Sequence, residues 1–273
     1  MQAFPAWSPP GGTLGQIIAE TRRRVDELKR QRRALEAGAA DRDPGPSLAA
    51  ALRRPDVAIV AELKRRSPSR GAINLDLAPR DQAAAYHAGG AAAISVLTEG
   101  RHFGGSTDDL VAVRSAVPIP VLKKDFHIDP IQLVEARALG ASAVLLIARA
   151  LEPAALSALA READALGIEA LIEVRSDPEL DRALSTTAPL IGVNSRDLET
   201  LAVELAVTER LLPLIPATRV AIAESGISGR DDVERAARHG ADAVLVGSAL
   251  SAASDATRAV QALIGVRRGS RAA

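Results

Sequence analysis

From Val57 onward the chain alternates between short apolar runs and longer segments in which apolar residues recur at helical spacing. The runs begin at Val57, Ala92, Pro120, Ala143, Glu169, Leu190, Arg219 and Ala243, at intervals of 35, 28, 23, 26, 21, 29 and 24 residues. Runs this short, rich in Val, Ile, Leu and Ala, read as buried strands, and each interval holds one strand and one helix. Several helical segments stop at a glycine just ahead of the next run, at Gly90, Gly140, Gly167 and Gly240. Glycine ends a helix in a left-handed turn and lets the chain re-enter the sheet. Eight successive strand and helix units predict an α/β fold, a single closed (β/α)8 TIM barrel over residues 56–265. The competing architecture, an open doubly wound sheet, expects a G-x-G-x-x-G turn after the first strand, and none is there.

Ahead of the barrel, residues 13–55 read as a helical extension packed against it. Leu14, Ile17, Ile18, Thr21, Val25 and Leu28 fall on one helical face, and Thr13 with Gln16 has the pattern of a capping box. The opposite face carries Arg22, Arg23, Lys29, Arg30 and Arg33, diluted by Asp26, Glu27 and Glu36, which predicts a solvated basic face. A linker over Asp41 to Pro46 leads to a short apolar helix around Leu48 to Leu52. Residues 1–12 are expected to form a flexible tail and residues 266–273 a second one. The start has no basic stretch followed by an apolar one, so no signal peptide is expected, and no transmembrane run is present.

Charge and composition narrow the function. The 273 residues carry 34 basic and 34 acidic side chains, so no net field draws the chain to nucleic acid or to an anionic membrane. With no cysteine there is no disulfide scaffold, thiolate zinc site or cysteine nucleophile, and a cytoplasmic location is expected. The four histidines, His87, His102, His127 and His239, lack the spacing of a metal site and are expected to be surface or capping residues, so no metal is expected. Only Lys29, Lys64, Lys123 and Lys124 are lysine, and the other 30 basic residues are arginine. Arginine keeps its proton, whereas a desolvated lysine exchanges one, so the scarce lysines mark candidate chemistry.

In a TIM barrel that chemistry belongs at the C-terminal strand ends. Glu62 and Lys64 close the first run, Lys123, Lys124 and Asp125 the third, Glu173 the fifth, Asn194 and Arg196 the sixth, and Glu224 and Ser225 the seventh. Residues two apart on a strand share a face, which pairs Glu62 with Lys64 and Asn194 with Arg196, and sends Lys123 away from the cavity that Lys124 enters. One charged strand end merely meets solvent. Several on one rim predict a cluster of carboxylates and ammonium groups with pKa values moved toward neutrality for proton transfer. Gly226 follows the seventh run, and Gly247 and Ser248 the eighth, where backbone N–H groups of this fold commonly cradle a phosphate. The loop from Phe103 to Ser106 is a candidate to close over substrate, and Tyr86 is expected to pack.

Five motifs in order resemble indole-3-glycerol phosphate synthase: Ala61-Glu62-Leu63-Lys64-Arg65-Arg66-Ser67-Pro68-Ser69, Val121-Leu122-Lys123-Lys124-Asp125-Phe126, Leu171-Ile172-Glu173-Val174, Gly192-Val193-Asn194-Ser195-Arg196-Asp197 and Ala223-Glu224-Ser225-Gly226-Ile227. The resemblance spans about Leu14 to Ile264 and implies a carboxy-lyase of tryptophan biosynthesis that needs no cofactor. It implies Lys124 as general acid, Glu173 as a proton-transfer group, and Glu62 with Lys64 in ring closure or dehydration. It further implies Ser67, Phe103, Asn194 and Arg196 around the substrate, Glu224 and Ser225 as positioning residues, and Gly226, Gly247 and Ser248 at the phosphate. Its partners would be a phosphorylated small molecule, with no nucleic acid and no membrane, the protein being a monomer or weak homodimer. Ile131, and Asn74 to Leu77, depart from the family's aromatic positions and bear on loop packing. The alternatives are a neighbouring sugar-phosphate isomerase such as phosphoribosylanthranilate isomerase, against which the Glu62 and Lys64 pair and the Lys124-Asp125-Phe126 motif argue, and a catalytically silent barrel.

Overall fold

A computed structural model describes residues 7–271, so the first part of the tail expected over residues 1–12 and the end of the one over 266–273 lie outside the described residues. Eight strands, β1 (Ala58–Leu63), β2 (Ala93–Leu97), β3 (Val121–Lys124), β4 (Ala143–Ile147), β5 (Glu169–Val174), β6 (Leu190–Asn194), β7 (Val220–Glu224) and β8 (Ala243–Val246), pair in chain order, all parallel, and β8 closes on β1. Each begins at, or one residue after, the start of the apolar run that predicts it. The helix-ending glycines are left-handed, with φ of +98° at Gly90, +83° at Gly140, +68° at Gly167 and +90° at Gly240.

Successive side chains point to opposite faces of each strand, and this sorts the core into two shells. Ala58, Val60, Leu122, Leu145, Leu171, Ile222 and Leu245 fill the barrel interior, while Ile59, Ile94, Val144, Ile172, Ile191 and Val244 pack outward under the helices. On five of the eight strands, β1, β3, β5, β6 and β7, the inward series ends at the upper rim in a polar residue: Glu62, Lys124, Glu173, Asn194 and Glu224. Those helices include α4 (Pro79–Ala88), α6 (Thr107–Ala116), α7 (Pro130–Ala138), α8 (Pro153–Ala165), α9 (Asp177–Leu184), α10 (Leu205–Leu211), α11 (Arg230–Arg238) and α13 (Ala256–Gln261). Two short helices are added at the rim, α5 (Gly100–Phe103) and α12 (Ser248–Ser251).

The extension is α1 (Gly12–Arg30), α2 (Arg32–Ala40) and α3 (Leu48–Leu52). Leu14 and Ile17 of α1 reach the mouth of the barrel, and Val25 and Leu28 pack with Ile131 and Val134 of α7. The capping box expected at Thr13 and Gln16 does not form: Gly11 is the N-cap, Thr13 lies within the helix, and no side chain caps it. A contact distant in sequence sets the start instead. Thr13 N–H donates to Glu199 O at 3.4 Å, and Gly12, at φ +53°, lies so close to the Glu199 backbone that a Cβ would not fit. Arg22, Arg23, Arg30 and Arg33 are exposed as expected, but Lys29 is not simply solvated, since its Nζ lies 2.6 Å from Asp129 Oδ2 at the start of α7. Ahead of α1, Trp7 Nε1 donates to Arg149 O at 3.2 Å, and Arg149 Nη1 returns a bond to Ser8 O at 2.7 Å.

α3 sits under the barrel, where Glu169 at the start of β5 accepts from Ser47 Oγ (2.6 Å) and Ala49 N–H (2.8 Å). At the positions that depart from the family pattern, Ile131 is fully buried and Asn74 Nδ2 donates to Ser251 O at 3.0 Å. No helix among the described residues is long and apolar enough to cross a membrane.

Candidate active site

The upper rim encloses a cavity lined by Glu62 and Lys64 of the β1 end, Lys124, Glu173, Asn194 with Arg196, and Ser225, with Ser67 and Phe103 contributed by the first two loops. Lys124 is its hub. Its Nζ lies 2.9 Å from Glu224 Oε2 and 3.5 Å from Glu62 Oε2, and Glu62 Oε1 lies 3.3 Å from Lys64 Nζ. All three glutamates are buried.

Environment separates these carboxylates. Burial works to raise the pKa of Glu62, but the Lys64 and Lys124 ammonium groups outweigh it and hold Glu62 below the usual carboxylate range. At Glu173 burial is reinforced by the Glu224 carboxylate and only partly offset by Lys124, so its pKa is pushed up to about 8. Burial alone would lower the pKa of Lys124, but Glu224, Glu62 and Glu173 together raise it above the ordinary lysine value. Near neutral pH the rim therefore holds a protonated carboxyl at Glu173, an ionised one at Glu62 and a firmly charged ammonium at Lys124. Paired titratable groups driven apart in this way supply both a proton donor and a proton acceptor in one site.

Space for two of the carboxylates comes from glycines on neighbouring strands. A Cβ on Gly192 of β6 would collide with Glu224 Oε1, and one on Gly247 would collide with Glu62 Oε1. Ser251 of α12 fixes the β1 end, its Oγ donating to Glu62 O and accepting from Lys64 N–H, both at 3.0 Å. Tyr86 packs there as expected, fully buried, with its hydroxyl 3.4 Å from Glu62 O.

On the substrate side, Asn194 Oδ1 accepts from Arg196 N–H (2.9 Å) and Arg196 Nη1 donates to Leu201 O (2.9 Å). Partial burial and the neighbouring Arg70 guanidinium both lower the pKa of Arg196, a convergence of positive charge suited to an anion. Phe103 and Phe126 face each other at 6.1 Å between ring centroids, and Lys64 Nζ sits 5.8 Å from the Phe103 ring. Ser225 and Gly226 are consecutively left-handed, at φ +64° and +75°, and a Cβ on Gly226 would press on Leu205. Gly226, Gly247 and Ser248 flank the cavity rather than line it.

A sequence model of the family described as indole-3-glycerol phosphate synthase matches residues 14–263. The chain belongs to the indole-3-glycerol phosphate synthase family. A relative of that name from Nocardioides sp. is 51% identical over 232 residues, covering 85% of this chain and 89% of the relative. Another, from Mycolicibacterium gilvum, is 50% identical over 226 residues, covering 82% and 83%. Among solved structures, the thiamine phosphate pyrophosphorylase from Pyrococcus furiosus superposes with a TM-score of 0.57 at 18% identity, over 76% of this chain and 93% of that one, a likeness of fold alone.

In this indole-3-glycerol phosphate synthase family member, several groups that shape the site escape a reading of strand ends. Leu14 and Ile17 come from α1, and Phe126, Leu145 and Leu198 supply apolar wall. Behind Lys124, the outward-facing Lys123 is completely buried, with Nζ 2.9 Å from Glu135 Oε2 and 3.4 Å from Asp125 Oδ2. Arg24 of α1 reaches the same Asp125 oxygen at 2.8 Å. Burial opposes ionisation of Asp125, yet Lys123 and Arg24 hold its pKa well below the carboxylate range. His127 is not the surface or capping residue expected. It is buried in this network, with Nδ1–H donating to Leu145 O at 2.8 Å and Nε2 3.5 Å from Lys123 Nζ. Burial and the Lys123 charge lower its pKa to about 3.

Proposed function

We propose that this chain converts 1-(2-carboxyphenylamino)-1-deoxyribulose 5-phosphate to indole-3-glycerol phosphate, carbon dioxide and water, with Lys124 as the acid of ring closure. The activity is that of its family, a carboxy-lyase of tryptophan biosynthesis. The assignment of roles is carried by the Lys124 ammonium, clasped by Glu224 and Glu62 beside the high-pKa Glu173.

Ring closure joins the carboxylate-bearing ring carbon to the ketone carbon, and the ketone oxygen becomes a hydroxyl by taking a proton from Lys124. Carbon dioxide then leaves, and its bonding pair returns to the ring to restore aromaticity, so the electron sink is the substrate itself and no cofactor is required. Dehydration expels the new hydroxyl as water and removes a proton from the adjacent carbon, which needs one donor and one acceptor. Protonated Glu173 suits the donor, and ionised Glu62 beside Lys64 suits the acceptor. Ser67, Asn194 and Arg196 would hold the substrate carboxylate and anilino group, and Phe103 the ring. Glu224 and Ser225 would position the reacting groups, and Gly226, Gly247 and Ser248 would present backbone N–H groups to the phosphate. Among the described residues the large exposed apolar side chains are Leu75, Val111, Val203 and Leu214, far apart in the sequence, which supports a monomer or weak homodimer. The balanced charge supports a cytoplasmic enzyme without nucleic-acid or membrane partners.

The test is incubation with the ribulose phosphate while following indole fluorescence. Wild type should produce signal, and Lys124→Arg should fold with an unchanged melting temperature but lose about 10²- to 10⁴-fold in kcat, the range for a general acid. No indole from folded wild type would make the barrel catalytically silent, and wild-type kinetics in the variant would remove Lys124 from the acid role.

A further inference from the structure

The end of the barrel opposite the catalytic rim carries a second charged concavity. A cleft of about 590 Å³ opens between the segment entering β1, the turn before β7 and the chain after α13. Five guanidinium groups line it, those of Arg53, Arg54, Arg219, Arg268 and Arg271, against one carboxylate, Asp242. That carboxylate is already committed: Oδ1 lies 2.7 Å from Arg268 Nη1, while Oδ2 lies 2.6 Å from Arg271 Nη2 and accepts from Ala221 N–H at 2.8 Å.

The remaining positive charge has no acid facing it. Arg219 spends its guanidinium on the carbonyls of Thr186, Thr187 and Ala188, and Arg53 donates to Thr218 O at 2.9 Å, contacts that orient these side chains without cancelling their charge. Among the described residues, no carboxylate lies within 4.0 Å of Arg53, Arg54 or Arg219. The Arg271 side chain is only 5% exposed, and its Nε–H is buried with no acceptor. The rest of its guanidinium is held by Gly240 O, Arg219 O and Asp242, so Arg271 is a fixed positive charge in the wall of the cleft, and Arg53 and Arg54 are its exposed groups.

We propose that this cleft binds a multivalent small anion bearing phosphoryl oxygens. Forked guanidinium groups match phosphoryl oxygens in geometry as well as charge. The cleft has the volume of a small-molecule site. The segment before β1 already meets the chain after α13 in one antiparallel bridge, Asp56 with Arg267, so an occupant adds a clamp from Arg268 and Arg271 to the turn before β7. A ligand that binds only the folded chain raises its melting temperature by mass action.

The test is calorimetric titration of the full chain with inorganic pyrophosphate, beside the double variant Arg53→Ala/Arg54→Ala. Both arginines are exposed, so the variant retains the fold. Wild type should show two classes of site, the catalytic cavity and the cleft. The variant should lose one class or weaken it at least tenfold, with indole formation unchanged. Orthophosphate binding the cleft as tightly as pyrophosphate would identify a single phosphoryl group as the determinant; tighter pyrophosphate binding would identify a diphosphate. Equal titrations of wild type and variant, or displacement of pyrophosphate by a more tightly held oligoglutamate peptide, would overturn the proposal.

Discussion

Glu62 and Glu173 stand on the same rim, both buried, yet burial loses to neighbouring ammonium charge at one and prevails at the other. With a folded-state pKa of about 8, Glu173 carries a proton at pH 7 and can donate it. If that form is the active one, kcat should be flat below about 8 and fall by about tenfold per pH unit above it. A kcat that climbs toward pH 8 would make Glu173 a base, and Glu173→Gln should abolish the limb in either case. The adjacent lysines make the complementary point. Strand parity alone sends Lys124 inward and Lys123 outward, and they meet quite different partners, Glu224 and Glu62 against Glu135 and Asp125.

Among the elements, β6 and the turn after β8 act through what they omit. Gly192 and Gly247 leave room for the Glu224 and Glu62 carboxylates, and neither is left-handed, so space rather than backbone freedom demands glycine. Gly192→Ala and Gly247→Ala should each lower kcat by about 10²-fold with circular dichroism unchanged, because a displaced catalytic group loses alignment. Unaltered kcat would show that the glutamates can shift without harm. The eight strands were legible because a strand covered on both faces must be apolar, and the rim was legible because the polar residues closing those runs stand out. Gly192 was not, since a glycine within a strand reads as a weakness until its neighbour is known, and Gly247 was legible only as a phosphate residue, not as space for Glu62. Nor was Arg24 legible: Arg22, Arg23 and Arg24 look alike in sequence, and the docking angle of α1 decides which one meets Asp125. The Thr13 cap failed for a related reason, a local preference overruled by contact with Glu199.

Across the whole molecule, the network of Arg24, Asp125, Lys123, Glu135 and His127 joins the extension, β3 and α7 behind the catalytic lysine. His127 makes this junction sensitive to acid. Its pKa drops from 6.5 when unfolded to about 3 when folded, so below pH 6.5 the unfolded chain binds the extra proton and stability falls. Glu173 has the opposite slope between 4.5 and about 8, since there the folded state holds the extra proton. The two separate when wild type is compared with His127→Asn. Between pH 7 and 5 the wild type should lose about 2 kcal/mol more than the variant by urea denaturation, from about 1.4 kcal/mol per pH unit below 6.5. Parallel losses would show that His127 is not the group that titrates.

The bond from Trp7 to Arg149 has a further, optical consequence. The chain holds one tryptophan, one tyrosine and three phenylalanines, so nearly all of its own long-wavelength emission arises from a single half-buried indole beside the barrel mouth. That emission is a built-in gauge of whether the segment ahead of α1 rests on the barrel or has lifted from it. It can be read on the unlabelled enzyme, with the product's indole as the one other signal to subtract.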